Sequence, residues 1–243
     1  MNRRYWMMMA LLCGLSVGLW GQPLVMQTAE EMPAVDERPA AAEMSAMDVP
    51  NGMGCGERFV AMPDSLLPML SAVNRADLVD FMANDMKAEV NNRLAGRTSM
   101  TQLTPTYLRL QHSDLADWQM KLLTTHEGDT LICVAQTVRT PVVDSHLLLF
   151  DSRWNPLPLE QVMPQPPQLN DFLSPEAHSI LQSQYALATL LLTEATFSAD
   201  EELLEIRYTT PDTIDEEVRK RLEPYLHSLL TYRWQGERFE RMP

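Results

Sequence analysis

Beyond Thr98 the apolar residues fall at every second position, and this period constrains the fold more than any other feature of the chain. Successive side chains of a strand point to opposite faces, so alternation of this kind describes half-buried strands and is incompatible with a helix. It runs through Tyr107-Leu108-Arg109-Leu110 and Trp118 to Leu123, and the strand-like runs Leu131 to Val138 and Ser145 to Phe150 follow. Glu127-Gly128-Asp129 supplies a turn between two of these segments, and Pro141 separates the last two. Strands joined by short turns pair antiparallel.

Ahead of the strands the period is helical. Asp64 is placed to cap a helix with the face Leu66, Leu67, Met69, Leu70 and Val73, and Asn74 to cap a second one, with Asp77 in its first turn. Leu78, Phe81, Met82 and Met86 continue the apolar face of that second helix, which Gly96 ends. Helices followed by a meander predict an α+β fold with the N-terminal helices packed on an antiparallel sheet, over residues 55–165. Five prolines between Pro156 and Gln168 interrupt regular structure. A second, smaller α+β unit is expected over 166–243: a short helix near Pro175 to Gln182, strands near Ala188 to Phe197 and Leu203 to Thr209, a helix from Asp212 to His227, and strands Leu229 to Trp234 and Arg238 to Met242. The recurrence of helix and strands in both halves leaves open a diverged internal repeat.

The start of the chain reads differently. Met1-Asn2-Arg3-Arg4 precedes an apolar run and then small residues up to Gly21, the layout of a cleaved signal peptide over residues 1–21. Gly14, Ser16, Gly18 and Gly21 break the run well short of the roughly 20 strongly apolar residues of a membrane span. Acylation at Cys13 is the lesser alternative, because Leu11-Leu12 stand where a small residue is needed. Residues 22–54, rich in Ala, Glu, Met and Pro and without aromatics, read as a disordered acidic tether. The net charge of −14 disfavours nucleic acid and anionic membrane as partners, since both are bound through Lys and Arg.

Candidate chemistry is sparse. Asp144-Ser145-His146 holds the residue types of a hydrolytic triad, but on a strand Ser145 would face away from its neighbours, and no nucleophile elbow is present. His112, His126, His146, His178 and His227 are scattered. His112 and Asp114 could share a strand face, yet two ligands do not hold zinc. Glu216 and Glu217 read as helix-dipole partners, and Arg219, Lys220 and Arg221 as their ion-pair counterparts. Met44, Met47 and Met53 ahead of Cys55 would be soft ligands for Cu(I), against the simpler role of methionine as filler, as at Met82 and Met86. No catalytic, cofactor-binding or metal-ligating residue is therefore assigned, and no cofactor. Cys55 and Cys133 remain after cleavage. In an oxidising compartment they could pair, while Ile132 and Val134 around Cys133 suit a lone buried thiol.

Several runs together resemble a domain-of-unknown-function family of exported proteins from anaerobic bacteria of the Bacteroidales type. They are M-P-D-S-L-L-P-M-L at Met62 to Leu70, N-R-A-D-L-V-D-F at Asn74 to Phe81, M-K-A-E-V-N-N-R at Met86 to Arg93 and L-T-P-T-Y-L at Leu103 to Leu108. Q-M-K-L-L at Gln119 to Leu123, I-C-V at Ile132 to Val134, Asp144-Ser145 and Y-R-W-Q-G-E-R-F at Tyr232 to Phe239 complete the set. The resemblance implies export in a Gram-negative host and no mechanism. The expectation for function is a non-enzymatic module of the periplasm or cell surface, binding a protein or envelope component by a sheet face or strand edge; the alternative is a hydrolase of unfamiliar class acting on envelope material.

Overall fold

The computed structural model describes residues 53–177, 179 and 190–243. The expected signal peptide and nearly all of the expected tether, with Met44 and Met47, lie outside the described residues, as do His178 and residues 180–182 of the helix expected near Pro175 to Gln182.

The alternating segments form a meander of seven antiparallel strands in chain order. These are β1 (Glu89–Asn91), β2 (Arg97–Leu103), β3 (Tyr107–Ser113), β4 (Ala116–Thr124), β5 (Thr130–Val138), β6 (Asp144–Phe150) and β7 (Pro156–Leu157). Gly128, at φ 88, makes the turn between β4 and β5 that the sequence marks. A second antiparallel sheet has the order β11-β10-β9-β8. It consists of β8 (Thr193–Phe197), β9 (Leu203–Tyr208), β10 (Leu229–Trp234) and β11 (Phe239–Arg241).

The pleat sorts the first sheet into two faces. Leu108, Leu110, Trp118, Met120, Ile132, Val134 and Phe150 share one apolar cluster with Cys55, Phe59, Leu67, Leu70 and Leu78 from the N-terminal segment. Tyr107, Leu123, Leu131, Cys133, Ala135 and Leu149 share the other with Ala195, Phe197, Leu204, Ile206, Tyr208, Leu230, Tyr232 and Trp234 of the second sheet. Because both faces are covered, all of Asp117 to Leu123 on β4 and Leu131 to Ala135 on β5 is buried. Simple in-out alternation fades in exactly the strands that a single wetted face would have kept alternating.

The class is α+β, but the expected helical layer reduces to two short helices, α1 (Cys55–Val60) and α2 (Ala72–Ala83). The helix read from Asp64 is a series of turns. Pro68 lacks an N–H and its ring blocks a continuing helix. Buried Arg75 instead gathers the segment, donating to the carbonyls of Leu70 (3.0 Å), Val60 (3.4 Å) and Met62 and to Asp64 Oδ1 at 2.9 Å. The cap of α2 is Ser71, whose Oγ accepts the Asn74 amide at 3.2 Å, in place of Asn74 itself. That helix stops at Ala83 and the chain becomes β1, leaving Met86 exposed instead of on an apolar face.

A second buried arginine completes this cover. Arg58 Nη1 donates to the Ser152 carbonyl at 2.9 Å, and Trp154 Nε1 donates back to the Arg58 carbonyl at 3.1 Å. Trp154 sits at φ 66, a region costly for a bulky residue. Its indole, packed 5.4 Å from the Phe150 ring, and the bond to Arg58 hold it there.

After β7 the proline-rich stretch has one 3-10 turn, Leu159–Gln161, before α3 (Leu169–Phe172). The helix expected from Asp212 to His227 is shorter: α4 (Glu216–Leu222), with the Asp215 carboxylate accepting the Glu217 amide at 2.9 Å.

Candidate functional site

The polar residues of the first sheet that looked like chemistry serve the second sheet instead. Strand β8 is the edge of its sheet, so alternate amides have no β9 partner. Side chains of β4 and β6 supply them. Asp144 Oδ1 accepts the Thr193 amide (3.1 Å), Ser145 Oγ the Ala195 amide (3.0 Å) and Gln119 Oε1 the Phe197 amide (3.1 Å). Gln119 Nε2 donates to the Ala195 carbonyl at 3.3 Å, and Lys121 Nζ to the carbonyls of Ser198 (2.9 Å) and Ala199 (3.2 Å). Ser145 Oγ also meets Thr137 Oγ1 at 2.8 Å. Its hydroxyl is thus engaged by β5 and β8, while the exposed His146 lies on the alternate position, as strand geometry requires.

Beside this seam runs a ladder of charge. Asp117 accepts from Arg139 and, at 2.9 Å, from Arg109; Arg139 reaches on to Glu194 at 3.0 Å, and Arg207 bridges Glu194 and Asp212, each at 3.0 Å. Burial alone would raise the Asp117 pKa, but the hydrogen bonds from Arg139 and Arg109 hold it below the ordinary value. Thr101, Arg109, Gln111, Asp117 and Arg139 line a shallow pit of about 340 Å³. Its cations are already neutralised by Asp117 and Glu194, so it offers no unpaired charge to an ionic ligand.

The other candidates do not converge. His112 is buried and bonded through Nδ1 to Thr98 Oγ1 at 3.2 Å, with Nε2 unpartnered, whereas Asp114 is exposed in the turn after β3. Burial pushes the His112 pKa down to about 4. His126 lies against the β10–β11 turn, where a Cβ on Gly236 would come within 2.5 Å of the imidazole. His227 is exposed. Glu216 pairs with Lys220 at 2.7 Å, one helical turn on. Among the described residues no group of three or more His, Cys, Asp and Glu is placed to hold a metal. Cys55 and Cys133 are both free and buried, and they belong to clusters on opposite faces of the first sheet. No bridge joins them, and burial raises both thiol pKa values.

A feature that sequence reasoning missed is a cleft of about 810 Å³ between the proline-rich segment and the β10–β11 hairpin. Pro164, Gln165, Pro166, Gln168 and Asn170 form one wall, and Arg238, Glu240 and Arg241 the other. Arg241 Nη1 reaches across to Asp171 Oδ1 at 2.8 Å, and the Phe239 amide donates to the Val162 carbonyl at 2.8 Å beneath. The rim side chains Gln165, Gln168, Asn170, Arg238 and Glu240 are exposed. Only the clustering of prolines hints at such a wall in the sequence, and nothing there says that the C-terminal hairpin would face it.

The model of a family described as "Protein of unknown function (DUF3256)" matches residues 53–239. The chain belongs to this family. A solved structure, that of a domain of an uncharacterized protein from Porphyromonas gingivalis W83, is similar to this DUF3256 protein at 28% identity and a TM-score of 0.67. The match covers 77% of this chain and 96% of that one. The resemblance to an uncharacterised family from Bacteroidales-type bacteria thus stands. No curated protein matches. Among the described residues of this DUF3256 protein no helix is long and apolar enough to cross a membrane.

Proposed function

We propose that this DUF3256 protein is an exported, non-enzymatic module that binds a protein or another cell-envelope component at the cleft between Pro164–Asp171 and the β10–β11 hairpin. The observation that carries this reading is where the polar side chains are spent. Gln119, Asp144 and Ser145 of the first sheet are engaged by β8, whereas the side-chain amides of Gln165, Gln168 and Asn170 at the 810 Å³ cleft face solvent from a proline-stiffened wall. Export rests on the charged, apolar and small-residue start of the sequence, and an intact Met1 in protein taken from the native envelope would overturn it.

A photo-crosslinking residue at Gln168, compared in the native host with one at the exposed Lys87 outside the cleft, tests the binding site. A discrete adduct from Gln168 and none from Lys87 is the expected result. No adduct from Gln168, or the same adduct from both, overturns the assignment.

One observation favours the alternative, a hydrolase acting on envelope material. Asp144, Ser145 and His146 line a separate cleft of about 300 Å³ with Leu147, Leu159 and Met163. Release of fragments from envelope polymers by the wild-type chain, lost on Asp144→Asn with His146→Ala, would move the reading to an enzyme.

A further inference from the structure

Resting on that reading of the cleft, we infer that its ligand is an uncharged or basic polypeptide segment held in an extended conformation along the outer edge of β11. The register of the hairpin points this way. The Gln235 amide donates to the Arg238 carbonyl at 3.0 Å and the Met242 amide to the Thr231 carbonyl at 2.8 Å. Hydrogen-bonded pairs alternate along an antiparallel ladder, so Phe239 and Arg241 turn their backbone groups away from β10. The Phe239 amide already uses this outward direction, for the Val162 carbonyl. The Phe239 carbonyl and the amide and carbonyl of Arg241 continue the row into the cleft.

A free edge with a groove beside it is how strand addition works: the peptide backbone supplies the affinity and the groove reads side chains. The facing wall fits that use. Pro164 and Pro166 offer no backbone donors to a rival strand, while the amides of Gln165, Gln168 and Asn170 donate and accept as a peptide group does. A saccharide is served less well, because the rings at the cleft, Tyr232 and Phe239, are only 4% and 5% exposed and present no open face for stacking. Charge selects further. On the cleft wall Arg238 is paired with Glu240 and Arg241 with Asp171, and the chain as a whole carries −14, which repels an acidic peptide.

The test uses the purified full chain, short random peptides displayed on phage, and a digest of peptidoglycan saccharides as the competing probe. Two substitutions separate the backbone from the side chain. Arg241→Ala removes the ion pair to Asp171 and keeps the outward amide; Arg241→Pro removes both, at an edge position where proline is tolerated. Selected peptides should bind Arg241→Pro roughly tenfold more weakly than Arg241→Ala, since the two variants lack the same ion pair and differ in the amide, with thermal melts showing that both variants fold. If Arg241→Pro does not fold, protection of the Arg241 amide from hydrogen exchange by the peptide replaces it, and an unprotected amide overturns the inference. Equal peptide affinity for the two variants, or no peptide selected, overturns it as well. Saccharide binding without peptide binding does so while leaving the cleft as the site, and loss of the Gln168 adduct in the host would instead sink the binding function itself.

Discussion

The two faces of the seven-stranded sheet are both sealed from water but by different means. On the N-terminal side Trp118, Met120, Ile132 and Val134 meet Phe59, Leu70 and Leu78 through apolar contact, the Phe59 and Trp118 rings lying 5.8 Å apart. Direction matters little there, so two short helices and a run of turns serve as cover. On the C-terminal side Gln119, Asp144 and Ser145 fix an edge strand by one hydrogen bond after another, and Lys121 holds the turn that follows it. Such a seam accepts one register only. Apolar contact supplies the bulk of the stability, and the polar seam decides how the second sheet sits.

The sharpest way to break this contrast is Trp118→Ala. It should cost about 3–5 kcal/mol by urea unfolding, as for other large aromatic truncations in cores, and leave the β8 amides protected from hydrogen exchange in the remaining folded fraction. A loss no greater than that of a seam variant would erase the difference between the faces.

Acid should strike the apolar face next, through His112, buried at 8% exposure at the end of the Leu108–Leu110 row. The folded pKa is about 4 against 6.5 for the free side chain, because burial disfavours the charged ring more than Asp117 favours it. Between those values the unfolded chain holds the extra proton, so stability is complete above pH 6.5 and falls as the pH drops through 4. The difference is on the order of 3 kcal/mol. A His112→Asn variant should flatten the stability profile over that range; an unchanged slope would remove His112 from the account.

Gln119→Ala probes the seam. It strips the Phe197 amide, the Ala195 carbonyl and the Tyr107 hydroxyl of their partner and should cost about 1–3 kcal/mol, with faster exchange confined to β8. The smallest expected effect is that of Ser145→Ala, about 1 kcal/mol, seen as faster exchange of the Ala195 amide. If either variant exposes the amides of β4 and β5 as much as those of β8, the seam is not a separate contact.

The contrast also explains which parts of the fold were legible. Strands β3 to β6 announce themselves because Leu108, Leu110, Ile132 and Val134 repeat with the pleat, and Gly128 and Gly236 mark turns that need positive φ. The N-terminal cover was misread at Asp64 because Leu66, Leu67 and Leu70 sit at helical spacing, while the decisive partner, Arg75, looks like any surface arginine until it is seen to be 1% exposed. Pro68, which lacks an N–H, breaks the helix that this spacing implies. At the seam, Asp144-Ser145 stood out as a pair, but its partner amides lie 49 and 50 residues away, and no local pattern reports which backbone groups an edge strand leaves unpaired. The cleft was invisible for the same reason, since its walls come from Pro164–Asp171 and the hairpin after β9.

The seam has a bearing on how the chain assembles. Its acceptors come from β4 and β6, and the Gln119 contact spans 78 residues, whereas each pairing within the meander joins neighbours in sequence. Short closures cost the least entropy and form first. Gln119 and Ser145 become a common platform only when β4, β5 and β6 already lie side by side, so the C-terminal sheet is expected to dock last. Throughout that wait the amides of Thr193, Ala195 and Phe197 have only water to bond, and β8 is an open edge that a second unfinished chain could claim. On that expectation, the time it stays open depends on how soon two side chains, Gln119 and Ser145, are brought alongside one another.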